Sequence, residues 1–483
     1  MPKRPTPSPE DLARENEQLR RDNERARADR DRLRDEVDRL DRERVRLERE
    51  LERLTQALDT ARRAGCRQAA PFSKGPPTPA PRRVGRRAGP AYGRHGHRRR
   101  PAHIDTHVDV PLPATCPGCG GAVQYRREAV QLQEDLPVVR PQVRAFHVHI
   151  GRCRACGRRV QGRHATQTSD ALGAAAAHLG PQVVALIVLL NKQWGLSHAK
   201  VATLLREWFG LTVTPGAISQ ALHRAARQTV PTYAHLRATV RGSPVVTPDE
   251  TSWKVAGRLQ WLWAFATPTT VVYAIQPGRG FPQAAAVLGR DYDGVLVRDG
   301  WAPYRQFTAA AHQSCVAHLL RRCRTLGEDH PRARLPRRVQ AVLQEALVVR
   351  DRVHDGRLSS RGLAAARGRF MRRLAQALAH PGPTPAIQRF AAHLCTESPA
   401  IFGFLFDPAV DATNWRAEQA IRPAVVTRKV SGGNRSARGA ATQQILASVV
   451  QTARLRGLDT RDVLVDLLRA PAPHVSPALD ATS

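Results

Sequence analysis

The segment GVLVRDGWAPY, residues 294–304, places a carboxylate at the end of an apolar run. Val295, Leu296 and Val297 are β-branched or aliphatic and predict a buried strand, and Gly300 marks its end. Asp299 stands at that end, where burying an unpaired charge would be costly. Asp-Gly is a common turn dipeptide, so a solvated turn is one interpretation. A metal ligand is the other.

Further strand-like segments precede this run. They read PVVTPDETSW, LQWLWAFATP and TVVYAIQP, and the helical segment FPQAAAVLG separates them from residues 294–304. Residues 319–404 are mostly helical in pattern and rich in arginine. Three hairpin-spaced strands, a helix and another strand predict an α/β core of the ribonuclease-H-like class, with the helical stretch as an insertion.

The charge of the chain indicates a polyanionic partner. Its 483 residues include 76 basic and 42 acidic side chains, for a formal net charge of +34. Nearly all the basic residues are arginine, whose guanidinium suits phosphate, although a GC-rich genome would also favour arginine. The longest apolar run, VVALIVLL, is too short to span a bilayer. With no secretory signal pattern after Met1, a reducing, cytoplasmic and nucleoid-associated setting is expected, without membrane contact.

Residues 8–62 follow a heptad repeat. One seam position holds Leu12, Leu19, Ala26, Leu33, Leu40, Leu47, Leu54 and Ala61. The other seam position includes Asn16 and Asn23, and asparagine there favours an in-register dimer. The repeat therefore predicts a coiled coil (a leucine zipper) that forms a parallel homodimer. The alternative is a single charged helix lying in solvent.

The basic segment at residues 63–105 is rich in proline, glycine and arginine and has no apolar periodicity. It cannot bury enough apolar surface to fold alone, so a flexible linker is predicted. Its arginines either contact phosphates when DNA is near or only keep the segment soluble.

Two C-x-x-C motifs lie within residues 106–165. Cys116 and Cys119 form the first motif, and Cys153 and Cys156 form the second, with strand-like alternation between them. Four thiolates in two such pairs are the usual ligands of a structural Zn²⁺, so a zinc ribbon is predicted. A thioredoxin-like redox pair is the alternative, but it would need a single motif in a βαβ setting.

Residues 166–240 contain two amphipathic segments joined by a turn at Gly210. Apolar residues recur at helical spacing in SHAKVATLLREWFG and in TPGAISQALHRAARQ. Thr214 is a suitable N-cap, and Pro215 follows at the first helical position. The pattern predicts a DNA-binding helix-turn-helix, although any helical hairpin resembles one. Its second helix would present four polar residues to DNA: Ser219, Gln220, His223 and Arg224.

Two other carboxylates, Asp249 and Glu418, are further candidate metal ligands. Asp249 follows an apolar run in VVTPDET, and Glu418 lies in the helical segment DATNWRAEQAIRP. Glu418 could belong to a capping box, but Trp415 stands where the cap residue should be, or it could pair with Arg422. Two strand-end aspartates and a helix glutamate supply the hard oxygen ligands with which two Mg²⁺ or Mn²⁺ ions catalyse phosphoryl transfer.

Five segments together carry a family resemblance, and the last is the most specific. They read TPDETSWKVAG, WLWAFAT, VLVRDGWAPY, CVAHLLRR and NWRAEQAIRPAVVTRKVSGGNRS. In these five segments the chain resembles the DDE transposases of the insertion sequence 66 family. The resemblance implies that Asp249, Asp299 and Glu418 form the catalytic triad, which favours the metal-ligand interpretation of Asp299.

The order of the predicted parts also resembles that family and implies a multidomain chain. A zipper, a linker, a zinc ribbon and a helix-turn-helix precede a ribonuclease-H-like DDE core at residues 241–436. A C-terminal helical segment at 437–470 and a tail at 471–483 follow. The segment 319–404 is the helical insertion within that core.

Several residues near the triad have two open interpretations. Cys315 and His318 match a C-x-x-H element of the family, for which helix packing and metal binding are the alternatives. Arg422, Arg428 and Lys429 are expected either to contact DNA phosphates or to form a solvated basic face.

The resemblance implies a transposase of a bacterial insertion sequence. It would bind terminal inverted repeats as double-stranded DNA, hydrolyse a strand, and direct the freed 3′-hydroxyl at target DNA, with accessory proteins of the same element as further partners. One alternative is an inactive or domesticated copy that acts as a sequence-specific DNA-binding repressor. Another is a coiled-coil scaffold protein, which leaves the zinc ribbon and the acidic residues unexplained.

Overall fold

The computed structural model describes residues 9–65, 100–172 and 178–480. They fall into two compact units, Met1–Gln133 and Glu134–Ser483. The first unit contains helix α1, Pro9–Gly65, and a short β-bridge between Thr115 and Ala122. Most of the predicted linker at 63–105 lies outside the described residues. Within the described ranges, no helix is long and apolar enough to cross a membrane.

Helix α1 exposes leucines at seven-residue spacing in the part whose side chains are described. It runs for 57 residues through the predicted heptad region. The heptad leucines whose side chains are described are all more than half exposed: Leu19, Leu33, Leu40 and Leu47. The side chains of Leu12 and Leu54 lie outside the described set. Exposed leucines at seven-residue spacing are the surface that a second helix would cover in a coiled coil.

The second unit begins with a small hairpin and a group of helices. The hairpin pairs β1, Ile150–Arg152, with β2, Arg159–Gln161, in antiparallel register. The helices are α2, Pro181–Val188, α3, His198–Phe209, α4, Pro215–Gln228, and α5, Val230–Arg241. A π-helical turn, Leu189–Gln193, continues α2. Gly210 ends α3 with φ 63°, and the Thr214 hydroxyl accepts a hydrogen bond from the Ala217 N–H, so local sequence signals set these boundaries.

A five-stranded sheet occupies the centre of the second unit. Its strands are β3, Val245–Val255, β4, Arg258–Ala266, β5, Val271–Gln276, β6, Val295–Arg298, and β7, Ala311–Ser314. The spatial order is β5-β4-β3-β6-β7. Strands β3, β4 and β5 form an antiparallel meander, whereas β6 and β7 run parallel to β3. Helix α6, Phe281–Leu288, lies in the connection from β5 to β6.

Helices make up most of the chain after β7. The stretch predicted to be a helical insertion contains α7, Val316–Asp329, α8, Leu335–His354, α9, Ser360–Ala379, and α10, Pro385–Glu397. The final helices are α11, Trp415–Ser431, α12, Ala437–Leu455, α13, Thr460–Arg469, and the short α14, Pro477–Asp480.

Helix α12 covers the free edge of the sheet at β5. Backbone N–H groups of alternate β5 residues donate to side chains that lie one turn apart on α12. The pairs are Val271 with Thr452, Tyr273 with Ser448, and Ile275 with Gln444. One helical turn spans nearly the same length as two strand residues, so the spacing of the α12 side chains matches the spacing of the β5 N–H groups. The edge is thereby protected from pairing with another strand.

One hydrophobic core joins α2–α5 to one face of the sheet. Val246 and Trp263 of the sheet share this core with Leu222 of α4 and Val450 of α12. The predicted boundaries near residues 240 and 436 therefore do not separate independent cores. The amphipathic helices bury their apolar faces on the sheet.

The opposite face of the sheet carries α11 and the helical stretch α7–α10. Val297 of β6 belongs to a core with Phe370 and Phe390 of that stretch. Trp253 of β3 packs in a separate cluster with Ile421 of α11. Because side chains alternate along a strand, odd-numbered residues of β3 and β6 face this side.

Candidate active site

Asp249 and Asp299 lie at the same level on neighbouring parallel strands. Val245 of β3 pairs with Val295 of β6. Each aspartate is four residues beyond its paired valine, so the two acids lie at the same height along the strands. Because strand side chains alternate, both also point to the same face of the sheet. Both side chains are partly exposed. The Asp299 Oδ1 accepts a hydrogen bond from the Trp301 N–H at 2.9 Å, which closes the turn after β6.

Glu418 lies on the same face of the sheet, at the start of α11. It is in the first turn of that helix, and Ile421, three residues later, packs with Trp253 of β3. The Glu418 side chain is 46% exposed, and its Oε1 is 3.9 Å from Nε2 of His318. The packing of α11 against β3 therefore directs an exposed carboxylate toward the side of the sheet that carries both aspartates.

The two structural roles considered for Glu418 receive no support. Asn414 is the N-cap of α11, and its side chain makes no capping hydrogen bond. Across the described part of the chain, Glu418 and Arg422 form no ion pair, and His318 is the charged-group neighbour of Glu418 there. Glu418 is thus available for another role.

The charges of Asp299 and Glu418 both affect the pKa of Asp249. Burial raises the pKa of Asp249 to about 7, and the negative charges of Glu250, Asp299 and Glu418 contribute to the rise. The Glu250 N–H, which donates to Oδ1 at 2.9 Å, offsets only part of it. The site therefore lacks positive charge, a deficit that a bound cation would relieve.

Glu250 faces the other side of the sheet and is neutralised there. Arg279 Nε donates to its Oε1 at 2.6 Å, and the Tyr304 hydroxyl donates to its other oxygen. The Arg279 guanidinium also lies 4.1 Å from the ring centroid of Trp301, which holds it in place. Of the Asp249–Glu250 pair, only Asp249 is left for metal binding.

A buried ion pair supports the strand end that carries Asp299. Arg298 and Glu397 are 2% and 0% exposed, and Arg298 Nη1 lies 2.6 Å from Glu397 Oε2. The Ser314 hydroxyl and Arg305 Nη1 also donate to Glu397. Although burial raises the pKa of Glu397, these donors leave it below its ordinary value. Arg298 Nη1 also donates to the backbone carbonyl of Asp299 at 3.0 Å, so the pair connects α10 with the candidate site.

The donor set at this face suits a hard divalent cation. Carboxylate oxygens are the preferred ligands of Mg²⁺ and Mn²⁺, and burial together with neighbouring carboxylates raises the pKa of Asp249. Among the described residues, no group of three or more His, Cys, Asp or Glu side chains is close enough to hold a metal ion. The acids thus fit a cation in chemistry and charge, and a bound ion would have to draw them together.

Comparison with known proteins shows the family of the chain. A family model described as Transposase IS66 family matches residues 177–442, which is more than half of the chain and includes Asp249, Asp299 and Glu418. The chain belongs to the IS66 family of transposases. A relative, the uncharacterized protein y4jD of Sinorhizobium fredii, is 24% identical over 405 residues, which cover 76% of this chain and 77% of the relative.

The IS66 match extends well beyond the sheet. It begins near α2 and ends within α12, so it contains the helices that share a core with the sheet. This range agrees with the packing, in which the predicted helix-turn-helix and the sheet belong to one body.

The four DNA-facing residues predicted on α4 differ in exposure. Gln220 and Arg224 are exposed, whereas Ser219 and His223 are half-buried. His223 Nδ1 lies 2.7 Å from the Thr442 hydroxyl of α12, so this side chain connects two helices of the transposase. Gln220 and Arg224 remain accessible to DNA.

The three basic residues predicted near the triad also differ. Arg422 and Lys429 are exposed on α11. Arg428 instead fastens α11 to β3, because its Nη1 donates to the hydroxyls of Thr251 and Ser252, each at 2.8 Å. Arg428 therefore has a structural contact that the sequence pattern did not indicate.

Cys315 is buried in the packing between α7 and the start of α11. It is 2% exposed, burial raises the pKa of its thiol, and its Sγ accepts a hydrogen bond from the Asn414 N–H at 3.4 Å. This environment favours the packing interpretation of Cys315. His318, one turn along α7, lies beside Glu418.

Each C-x-x-C motif forms the same type of turn. In the first, Gly120 N–H donates to the Cys116 carbonyl at 2.8 Å, and in the second, Gly157 N–H donates to the Cys153 carbonyl at 2.9 Å. Both glycines have positive φ, 74° and 69°. Backbone N–H groups within each turn lower the pKa of Cys116 and of Cys153, which favours thiolates.

The charge deficit at Asp249 leads to a stability prediction. Because the folded pKa is raised, stability falls as the pH rises from about 4 to about 7, where the folded protein loses a proton that the unfolded chain has already lost. We expect Asp249→Asn to stabilise the metal-free protein by about 1–3 kcal/mol at pH 8 and to have little effect at pH 4.

Thermal unfolding at the two pH values, without and with Mg²⁺, measures this effect. Mg²⁺ should raise the Tm of the unmodified protein more than that of Asp249→Asn. The exposed Asp293 offers a matched control, and Asp293→Asn should leave the Tm nearly unchanged. A lower Tm for Asp249→Asn at pH 8 would show that the carboxylate is not under electrostatic strain.

Proposed function

We propose that this IS66 family member is a DDE transposase whose catalytic carboxylates are Asp249, Asp299 and Glu418. One observation carries the proposal: the three acids lie on one face of the sheet, where Asp299 and Glu418 add to the rise that burial causes in the pKa of Asp249. Membership of the family supports transposition and DNA as the partner. The strand order, an antiparallel meander followed by two parallel strands, supports a ribonuclease-H-like core.

Each residue of the site has its own proposed role. Asp249 and Asp299 would hold metal from adjacent strands, and Glu418 would hold it from α11. A pair of Mg²⁺ or Mn²⁺ ions, when bound, supplies the Lewis acidity that activates the attacking oxygen and stabilises the leaving one. The Arg298–Glu397 pair fixes the backbone at Asp299, and Arg279 keeps Glu250 neutralised on the opposite face.

The proposed substrate is double-stranded DNA at the ends of the element. The net charge of +34 supplies attraction to phosphates, and exposed Gln220, Arg224, Arg422 and Lys429 offer contacts. Accessory proteins of the same element would complete the machinery, and a nucleoid-associated cytoplasmic location would follow from DNA as the substrate.

A cleavage assay with labelled DNA tests this function. The probe is a duplex taken from the sequence that flanks the gene, incubated with the full-length protein in Mg²⁺, Mn²⁺ or EDTA. We expect strand cleavage with either metal and binding without cleavage in EDTA. Tight binding with no cleavage in either metal would instead support the DNA-binding repressor.

The exposed leucine stripe of α1 supports a parallel homodimer. We expect the full-length protein to be a dimer or a larger assembly, and removal of the first 62 residues to lower its oligomeric state. Light scattering measures the mass of both proteins. A substitution pair in the stripe, Leu33→Ala and Leu40→Ala, should weaken the dimer, whereas Arg32→Ala beside it should not. An unchanged mass after truncation would rule out the zipper as the main contact.

The shared turn geometry supports zinc binding by Cys116, Cys119, Cys153 and Cys156. We expect about one zinc per chain in the purified protein, and markedly less zinc after Cys116→Ser or Cys153→Ser. Metal analysis by mass spectrometry measures this, with the buried Cys323→Ser as the control. Zinc well below one per chain in the unmodified protein would contradict the proposal.

A further inference from the structure

A groove of about 530 Å³ lies beside α11, the helix that carries Glu418. Its walls come from four places: the turn at residues 193–195 after the π-helical segment, the turn from β4 to β5 at 266–271, one face of α11, and the last turn of α12. A groove of this size accommodates a group as large as one nucleotide, but not a double helix.

Two exposed tryptophans line this groove. Trp194 is 58% exposed and Trp415 is 41% exposed, whereas Trp253 and Trp263 in the sheet are almost fully buried. Exposed indoles at the rim of a groove are a common stacking surface for nucleobases. Trp194 follows directly after a π-helical turn, and such turns often mark functional positions.

The charge of the groove is positive. Arg416, Arg422 and Arg454 line it, and no carboxylate does. Arg416 is neutralised by Asp411 at 2.6 Å and lies over the Trp415 ring, 4.8 Å from its centroid. In the described part of the chain, Arg422 and Arg454 form no ion pair, so both guanidiniums are available to an anion.

Two side-chain amides in the groove wall are incompletely hydrogen-bonded. Gln193 Oε1 and Gln451 Nε2 are buried and have no partner among the described atoms. Buried polar groups are normally paired, so an unpartnered acceptor in the turn at 193–195 and an unpartnered donor in α12 suggest a ligand with complementary groups. A nucleobase edge carries both donors and acceptors.

The groove and the proposed catalytic acid Glu418 share helix α11. Trp415, Glu418 and Arg422 are separated by three and four residues on α11, so they are neighbours along one side of the helix. A nucleotide held against Trp415 and Arg422 would therefore belong to the DNA strand that passes Glu418.

We propose that this groove binds one unpaired nucleotide of a DNA strand. Its base would stack on Trp194 and Trp415, and its phosphate would lie near Arg422 and Arg454. This inference rests on the proposed function for the identity of the nucleic acid. It adds a binding site that would hold one base outside the double helix, on the helix that carries the proposed catalytic Glu418.

The test compares two DNA probes with the full-length protein in EDTA, where no cleavage occurs. One probe is a fully paired duplex, and the other is the same duplex with a short single-stranded extension that contains 2-aminopurine. We expect tighter binding of the extended probe and quenching of 2-aminopurine by stacking. Trp194→Ala and Trp415→Ala should each weaken binding of the extended probe by about tenfold and leave the paired duplex nearly unchanged.

Matched variants make the result specific. Trp415→Phe should keep much of the preference because a phenyl ring still stacks, and Trp208→Ala, which removes a 63% exposed indole elsewhere, should keep all of it. The proposal is overturned if the unmodified protein binds both probes equally, if the alanine variants keep the preference, or if they weaken both probes alike. Because the readout is binding alone, loss of cleavage would count against the triad and not against this groove.

Discussion

Replacing Asp249, Asp299 or Glu418 by alanine is expected to abolish strand cleavage and strand transfer. Each side chain would contribute oxygen ligands to a shared pair of metal ions, so removal of one ligand disturbs both ions. We expect a loss of about a thousandfold or more for each single variant, and little further loss in double variants, because ligands of one centre act as a unit.

DNA binding by the same variants should remain nearly intact. Affinity for DNA comes from arginines that contact phosphates, whereas the carboxylates contribute no such contacts. Binding could even tighten slightly without metal, since one negative charge near the DNA backbone is removed. A gel shift run beside the cleavage assay measures both quantities, with Asp407→Ala and Asp411→Ala as controls. Near-normal cleavage by any of the three alanine variants would show that its residue is misassigned.

Breaking the Arg298–Glu397 pair is expected to produce the largest loss of stability. Both side chains are almost completely buried, so Glu397→Gln would leave Arg298 with an uncompensated charge. Removal of one partner of such a pair typically costs about 3–5 kcal/mol. Activity should fall as well, because Arg298 also holds the backbone carbonyl of Asp299.

An exposed pair in the helical stretch is the matched control. Glu345 contacts Arg369 and Arg373, but all three side chains are more than a third exposed. Glu345→Gln should therefore change stability by less than about 1 kcal/mol. Urea unfolding of both variants measures the difference. Equal effects of the two substitutions would show that the Arg298–Glu397 pair is not the support of this strand end.

The sequence predicted four of the five strands of the sheet because their signals are local, whereas β7, Ala311–Ser314, has no apolar run and was not predicted. Strands β5 and β6 are largely apolar, β3 begins and β4 ends with an apolar run, and α4 begins at a threonine–proline cap. Asp249 and Asp299 were recognised for the same reason, since each follows such a run. Their equal level on parallel strands is a property of strand pairing, which the local pattern does not contain.

The supporting residues could not be predicted because their partners are distant in the chain. Arg298 and Glu397 meet only when α10 packs against the parallel strands, and Glu250 and Arg279 meet across a strand and a turn. One signal was present: Arg298 interrupts an apolar strand, and a charge in a buried strand requires a partner. The polar repeat of Gln444, Ser448 and Thr452 on α12 was also visible, but its partner edge at β5 was not.

The domain division was the least predictable feature. Amphipathic helices at 198–228 have the pattern of a separate DNA-binding module, and the pattern does not reveal which surface their apolar faces cover. In the structure that surface is the sheet, so the α4 residues proposed to contact DNA and the proposed catalytic carboxylates belong to one body.

Metal-specific rescue of Asp299→Cys tests the central claim, that these carboxylates bind the catalytic metal, most directly. Thiolate is a poor ligand for Mg²⁺ but accepts the softer Mn²⁺ better. We predict that Asp299→Cys cleaves end DNA poorly in Mg²⁺ and regains about tenfold or more in Mn²⁺ relative to Asp299→Ala, which stays inactive in both. Cleavage by Asp299→Ala in Mg²⁺, or equal inactivity of the cysteine and alanine variants in both ions, would contradict metal binding by Asp299.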